Sequence, residues 1–307
     1  MKFADPKNDL AFKKIFGNKH HKNILISFLN SVLDFKDEKE IVYVELANPY
    51  QVPKIPELKE TILDINATNK DCQSFIVEMQ KKDLGDFTKR SLYYTSKAYV
   101  SQLPKGQNYT ILKKVYFIGI LNFNIFDNKN YISRHLIINQ ETNTQDLEDF
   151  EFSFIELPKF NKELNELNSI LDKWIYFIKN ASSLEMIPQE YNSIEEFKEA
   201  FDIATQTSWD QQELKVYEYM ALKEFDELNA LKTAEKKGMQ KGMQKGIEQG
   251  IEKGIKQGIE KGKKEGEKKA KLDVAKNLLK ADVDIDTIVI STNLTKADII
   301  NLKDTLS

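Results

Sequence analysis

The chain has 307 residues, a formal net charge of −3, 41% hydrophobic and 10% aromatic residues and one cysteine. That length and composition suit one good-sized domain with accessories, or two small domains, around a real apolar core. The lone Cys72 excludes an internal disulfide, residues 1–9 lack the apolar stretch of a secretory signal, and the longest apolar run, 115–126, is short and broken by Asn122 and Asn124, so no membrane segment and a cytoplasmic location are expected.

In chain order, Phe12, Ile15 and Phe16 fall at helical spacing. After Gly17 the pattern resumes with Ile24, Leu25, Phe28, Leu29 and Leu33, so residues 6–33 read as helices. Residues 41–46 read as a strand, followed by a loop bearing Pro49, Pro53 and Pro56. Residues 61–67 and 74–80 read as two strands joined by the polar turn Asn69-Lys70-Asp71. An amphipathic helix is expected over 83–103, with Leu84, Phe87, Tyr94, Tyr99 and Leu103 inward and Pro104 and Gly106 as its stop. The run 115–126 suits a buried central strand, with further strands at 132–138 and 150–155. Helical patterns then cover 164–178, 194–204 and 211–231. This order predicts an α/β or α+β core with a helical appendage.

From Gly238 glycine recurs every fourth residue to Gly266, eight of the twelve in the chain, and Met239, Met243, Ile247, Ile251, Ile255 and Ile259 keep the same step. Residues 235–271 hold 12 lysines against 6 glutamates, which leaves the remainder acidic. Each glycine costs about 1 kcal/mol against alanine inside a helix. Two readings therefore stand: a basic, partly disordered linker, or a helix whose apolar stripe supports self-association. Residues 272–307 read as a small helical module.

The two strands at 61–67 and 74–80 carry the chemistry. Alternation places Ile62, Asp64 and Asn66 on one side of the first, and Ile76, Glu78 and Gln80 on one side of the second. A hairpin then brings Asp64 toward Glu78, and paired carboxylates call for a cation between them, such as Mg²⁺. A half-solvated sheet with polar residues outward gives the same alternation, so the pattern alone leaves both readings open. No zinc-type Cys/His spacing and no phosphate-binding glycine loop of the ATPase type is present.

Ile62-Leu63-Asp64-Ile65, followed by Glu78-Met79-Gln80, resembles the D…E-x-Q variant of the PD-(D/E)XK nuclease signature, in particular the Rpn-type recombination-promoting nucleases, also described as transposases. The resemblance extends to Asp9-Leu-Ala-Phe-Lys-Lys-Ile-Phe-Gly17, to Phe28-Leu-Asn30, to Lys89-Arg90-Ser-Leu-Tyr-Tyr94 with Gln102, and to the glycine-repeat tail. It implies a restriction-endonuclease-like α/β core, a mixed central sheet flanked by helices, with a C-terminal helical extension. With the patterns above, the expected layout is a nuclease core at 1–160, a helical subdomain at 161–235, a Lys/Gly repeat helix or linker at 236–271 and a small helical module at 272–307. The implied activity is Mg²⁺- or Mn²⁺-dependent cleavage of DNA in recombination. Asp64, Glu78 and the Met79 carbonyl would hold the metal, Gln80 would position water, and Arg90, Gln102 and Asp9 would contact phosphate or steer water. Gln80 stands where most of the superfamily has lysine, and no proline precedes Asp64. A catalytically weak DNA-binding or assembly protein and an RNA-directed nuclease are the alternatives. DNA and a second copy of the chain are the expected partners.

Overall fold

The computed structural model describes residues 2–48, 50–51 and 61–305; the expected loop with Pro49, Pro53 and Pro56 lies outside the described residues. The chain divides into two compact units, Met1–Glu224 and Phe225–Ser307.

In the first unit, α1 (Asp9–Phe16) starts where the Asn8 side chain accepts the Leu10 and Ala11 N–H groups, satisfying donors that the first turn leaves free. Its apolar face and that of α2 (Lys22–Leu33) are buried. The main sheet comprises β1 (Glu45–Leu46), β4 (Ile65–Thr68), β5 (Ser74–Gln80), β6 (Val115–Leu121), β8 (Leu147–Glu156) and β7 (Ile132–Ile137), in that spatial order. The β1–β4, β4–β5 and β7–β8 pairs are antiparallel, whereas β5–β6 and β6–β8 are parallel. β2 (Tyr50–Gln51) and β3 (Thr61–Ile62) form a separate two-stranded ladder. The parallel β5–β6 step needs a crossover, which α3 (Phe87–Ser101) supplies.

Both faces of the central strands β5 and β6 are covered. Phe75, Val77 and Met79 of β5, with Tyr116, Ile118 and Ile120 of β6, pack into the larger cluster under α1 and α2. Ile76, Phe117, Leu121 and Phe154 pack under α3 with Phe87 and Ala98. β6 is buried along its whole length, as its apolar run predicts. Gly119 lets α3 approach: a Cβ there would stand 2.9 Å from Phe87 Cε1 and 3.1 Å from Phe154 Cδ1. The expected inward position of Leu84 is corrected, since that side chain is 68% exposed. It precedes the helix, which begins only after Gly85, in a left-handed conformation, and Asp86.

The helices expected beyond residue 161 include α4 (Ile170–Asn180) and α5 (Glu195–Ala204). Their Trp174, Phe177, Phe197 and Phe201 belong to the same buried cluster as α1, α2 and the sheet. Trp174 stacks on Phe197 with ring centroids 4.0 Å apart, and its Nε1 donates to Ser27 Oγ on α2.

Helix α6 (Gln211–Lys280) is continuous for 70 residues, so the glycine repeat is helical and no break follows residue 231. In the second unit, the end of α6 with α7 (Ile285–Thr292) and α8 (Lys296–Asp304) encloses Ala275, Ile288, Leu294 and Ile299. Asp284 and Thr295 cap the last two helices. No helix among the described residues is long and apolar enough to cross a membrane.

Candidate active site

Asp64 and Glu78 meet across the β4–β5 hairpin by reciprocal bonds. The Asp64 N–H donates to Glu78 Oε1 (3.1 Å), and the Met79 N–H donates to Asp64 Oδ2 (2.8 Å). The route differs from the simple pleat expected for residues 61–67. The strand is interrupted at Leu63 and Asp64, between β3 and β4. Leu63 packs in the α3-side cluster although Ile65, two residues on, belongs to the opposite one. An unbroken strand would put both on one face. At the break the Asp64 carboxylate takes the Met79 N–H, a main-chain donor on the side where β4 has stopped pairing.

Glu78 is 3% exposed, and the Asp64 side chain 15%. Burial raises Asp64 to about 6, opposed by the Met79 N–H and by Lys13. Burial first and the Asp64 charge second raise Glu78 to about 8, opposed by the Asp64 N–H, Arg90 and Lys13. A carboxyl pair so placed keeps a proton near neutrality unless a cation takes over its charge.

Gln80 lies on the same face as Glu78. Its Nε2 donates to Glu78 Oε2 (3.3 Å), and its Oε1 accepts from Arg90 on α3 (3.2 Å). Arg90 Nε stands 2.9 Å from Asp86 Oδ1, and the guanidinium lies over the Phe87 ring. Tyr94, one turn further along α3, has its hydroxyl raised by burial and by the charge of Glu78. Asp9 acts on Asp64 directly, its charge and a side-chain hydrogen bond helping to raise that carboxyl, and Lys13 bridges the two, its Nζ 2.7 Å from Asp9 Oδ1 and 3.4 Å from Asp64 Oδ1.

Gln102 is not part of this group. Its amide donates to the Lys113 carbonyl (3.1 Å) and accepts the Lys113 N–H (2.7 Å), with Ser74 Oγ 3.5 Å away. Ser74 opens β5, four residues from Glu78, or about 13 Å along a strand. Lys13, Tyr94 and Asp86 are the residues that sequence reasoning missed. For Lys13 a signal existed: it follows Asp9 by four positions, one helical turn, on the same helix face.

Among the described residues no group of three or more His, Cys, Asp or Glu side chains is placed to hold a metal. The pair does fit a hard cation in kind, because Mg²⁺ commonly takes one or two carboxylates and completes its shell with water and substrate phosphate. Both carboxyls are buried and raised, and once ionised they carry a charge that such an ion would neutralise.

A mixed sheet flanked by helices, with an acid pair beside the C-terminal end of a central strand, makes this an α/β protein. The chain belongs to the PD-(D/E)XK nuclease family transposases: the model of that family matches residues 6–234, from before α1 into α6. The expected restriction-endonuclease-like core is thereby borne out. No curated protein and no solved structure matches the chain.

Proposed function

We propose that the protein is a divalent-metal-dependent DNA endonuclease of the Rpn type that promotes recombination in the cytoplasm. The observation that carries this reading is the buried Asp64–Glu78 pair, clasped by the Asp64 and Met79 N–H groups. Asp64 and Glu78 would hold Mg²⁺ or Mn²⁺. The Met79 carbonyl is a third candidate: its N–H faces Asp64, and in an antiparallel pair one residue's N–H and C=O point to the same neighbour. When bound, the ion would polarise a phosphate oxygen and make bound water more acidic. Gln80, fixed between Glu78 and Arg90, can orient a water by hydrogen bonding, and it carries no charge of its own. Plasmid nicking with Mg²⁺ tests the proposal. Wild type should cut, and Asp64→Ala and Glu78→Ala should not; equal cutting by all three would remove the site assignment. The neutral Gln80 favours a second reading, a catalytically weak DNA-binding protein, which predicts retention of duplex DNA with no nicking.

Self-association through the repeat is the second part of the proposal. Met239, Met243, Ile247, Ile251, Ile255 and Ile259 are 53–78% exposed, and a Cβ at each repeat glycine would meet nothing within 4 Å. Apolar ridges at i±4 beside glycine grooves at i±4 are self-complementary, and two such helices pack at about −50°. Light scattering on a glycine-to-alanine series tests this, with a fall in assembly size expected and an unchanged size ruling out close packing through glycine.

A further inference from the structure

The site has an ammonium group that the motif residues do not account for. Lys13 is set by α1, whose position is fixed on one side by the Asn8 cap and on the other by buried Phe12, Ile15 and Phe16. Its neighbour Lys14 turns elsewhere, pairing with Glu213 and lying over the Trp209 ring. Lys81, just past Gln80, is engaged by Asp5 and Glu224. Arg90 is engaged by Gln80 and Asp86. Lys13 alone of these four brings its cation to Asp64, and Asp9, one turn back, holds it there.

We infer that Lys13 contacts the substrate's phosphate at this site, with Asp9 as its positioning residue; the inference rests on the nuclease reading above. Lys13 is shared between two carboxylates, and its side chain is still 36% exposed. Asp64 and Glu78 would hold the ion, whose charge would replace the one Lys13 now supplies to Asp64, and the ammonium would have a donor free for a phosphate oxygen. Phosphate recognition by a lysine is a point-charge interaction, which suits a flexible side chain steered by one neighbour.

The test uses the full chain with a short duplex of mixed sequence, Ca²⁺ replacing Mg²⁺ for binding, and calorimetric Mg²⁺ titration without DNA. Lys13→Met should weaken duplex binding about tenfold, the scale of one charged hydrogen bond. It should also reduce the slope of log affinity against log salt by about one. Mg²⁺ affinity and thermal unfolding should be no weaker than in wild type, and Lys13→Arg should restore most of the DNA affinity. Duplex binding by Lys13→Met within twofold of wild type, with an unchanged salt slope, overturns the inference. So does an equal loss of Mg²⁺ and DNA binding, which would assign Lys13 to holding Asp64 in place. If wild type takes up no divalent ion, or Asp64→Ala takes it up equally well, the nuclease reading fails and this inference with it. A Lys13→Met failure beside an intact, Asp64-dependent metal site sinks the inference alone.

Discussion

Two glutamines, Gln102 and Gln80, sit at opposite ends of β5, and their surroundings differ in kind. At the N-terminal end, the Gln102 amide closes a two-way exchange with the Lys113 backbone and ties the end of α3 to the start of β6. No charged group takes part in that exchange; the partners of Gln102 are the Lys113 main chain and the Ser74 hydroxyl. At the C-terminal end, Gln80 mediates between a raised carboxyl and a guanidinium whose own pairing with Asp86 is lateral. One end of the sheet satisfies its polar groups; the other retains acid groups that burial opposes. A protein built for stability alone would resolve both ends alike, so the unresolved end is where function is expected.

The comparison can be broken in four places. The largest effect belongs to the acid pair: Glu78→Gln should remove at least about 10³-fold of cleavage, about 4 kcal/mol of barrier, in single-turnover assays, while the fold is retained. Next is the pH dependence of metal-free stability. Asp64 and Glu78 hold protons more tightly folded than unfolded, so the stability present below about pH 4 should be lost as pH rises through 6 toward 8. We expect a loss of several kcal/mol over that window, flattened in Glu78→Gln and absent with saturating Mg²⁺; urea melts at pH 4.5 and 8 would show it. A rise in stability over that window would contradict the buried-pair picture. Third, Gly119→Ala should cost about 1–3 kcal/mol in thermal unfolding by pressing on Phe87 and Phe154. It should also lower activity, because α3 carries Arg90 and Tyr94. The smallest effect is at the satisfied end: Gln102→Ala should cost about 1 kcal/mol and leave nicking within twofold. Activity falling with Gln102 as far as with Gln80→Ala would erase the distinction between the two ends.

How far the sequence was readable follows the same division. Strand β6, the alternation along β5 and the apolar faces of α1, α2 and α4 were legible because burial there obeys a simple period. The separation of Gln102 from Arg90 was readable: it lies twelve residues further on, at the end of α3, about 18 Å of helical rise away. The break at Asp64 was not readable, because alternation assumes an unbroken ladder and a side chain here replaces a main-chain partner. The continuity of α6 was hidden for another reason. Eight glycines argue against a helix locally, and among the described residues nothing packs within 4 Å of where their Cβ atoms would stand. Lys13 was passed over as part of a resemblance motif, when its step of four from Asp9 was the stronger clue.

The Met79 amide has a consequence for observation. Its hydrogen is held by the Asp64 carboxylate rather than by a neighbouring strand. Exchange of that one proton with deuterated solvent, or its chemical shift, therefore follows whatever happens to Asp64. The backbone at the end of β5 thus reports a change in the protonation or contacts of Asp64 without any added label.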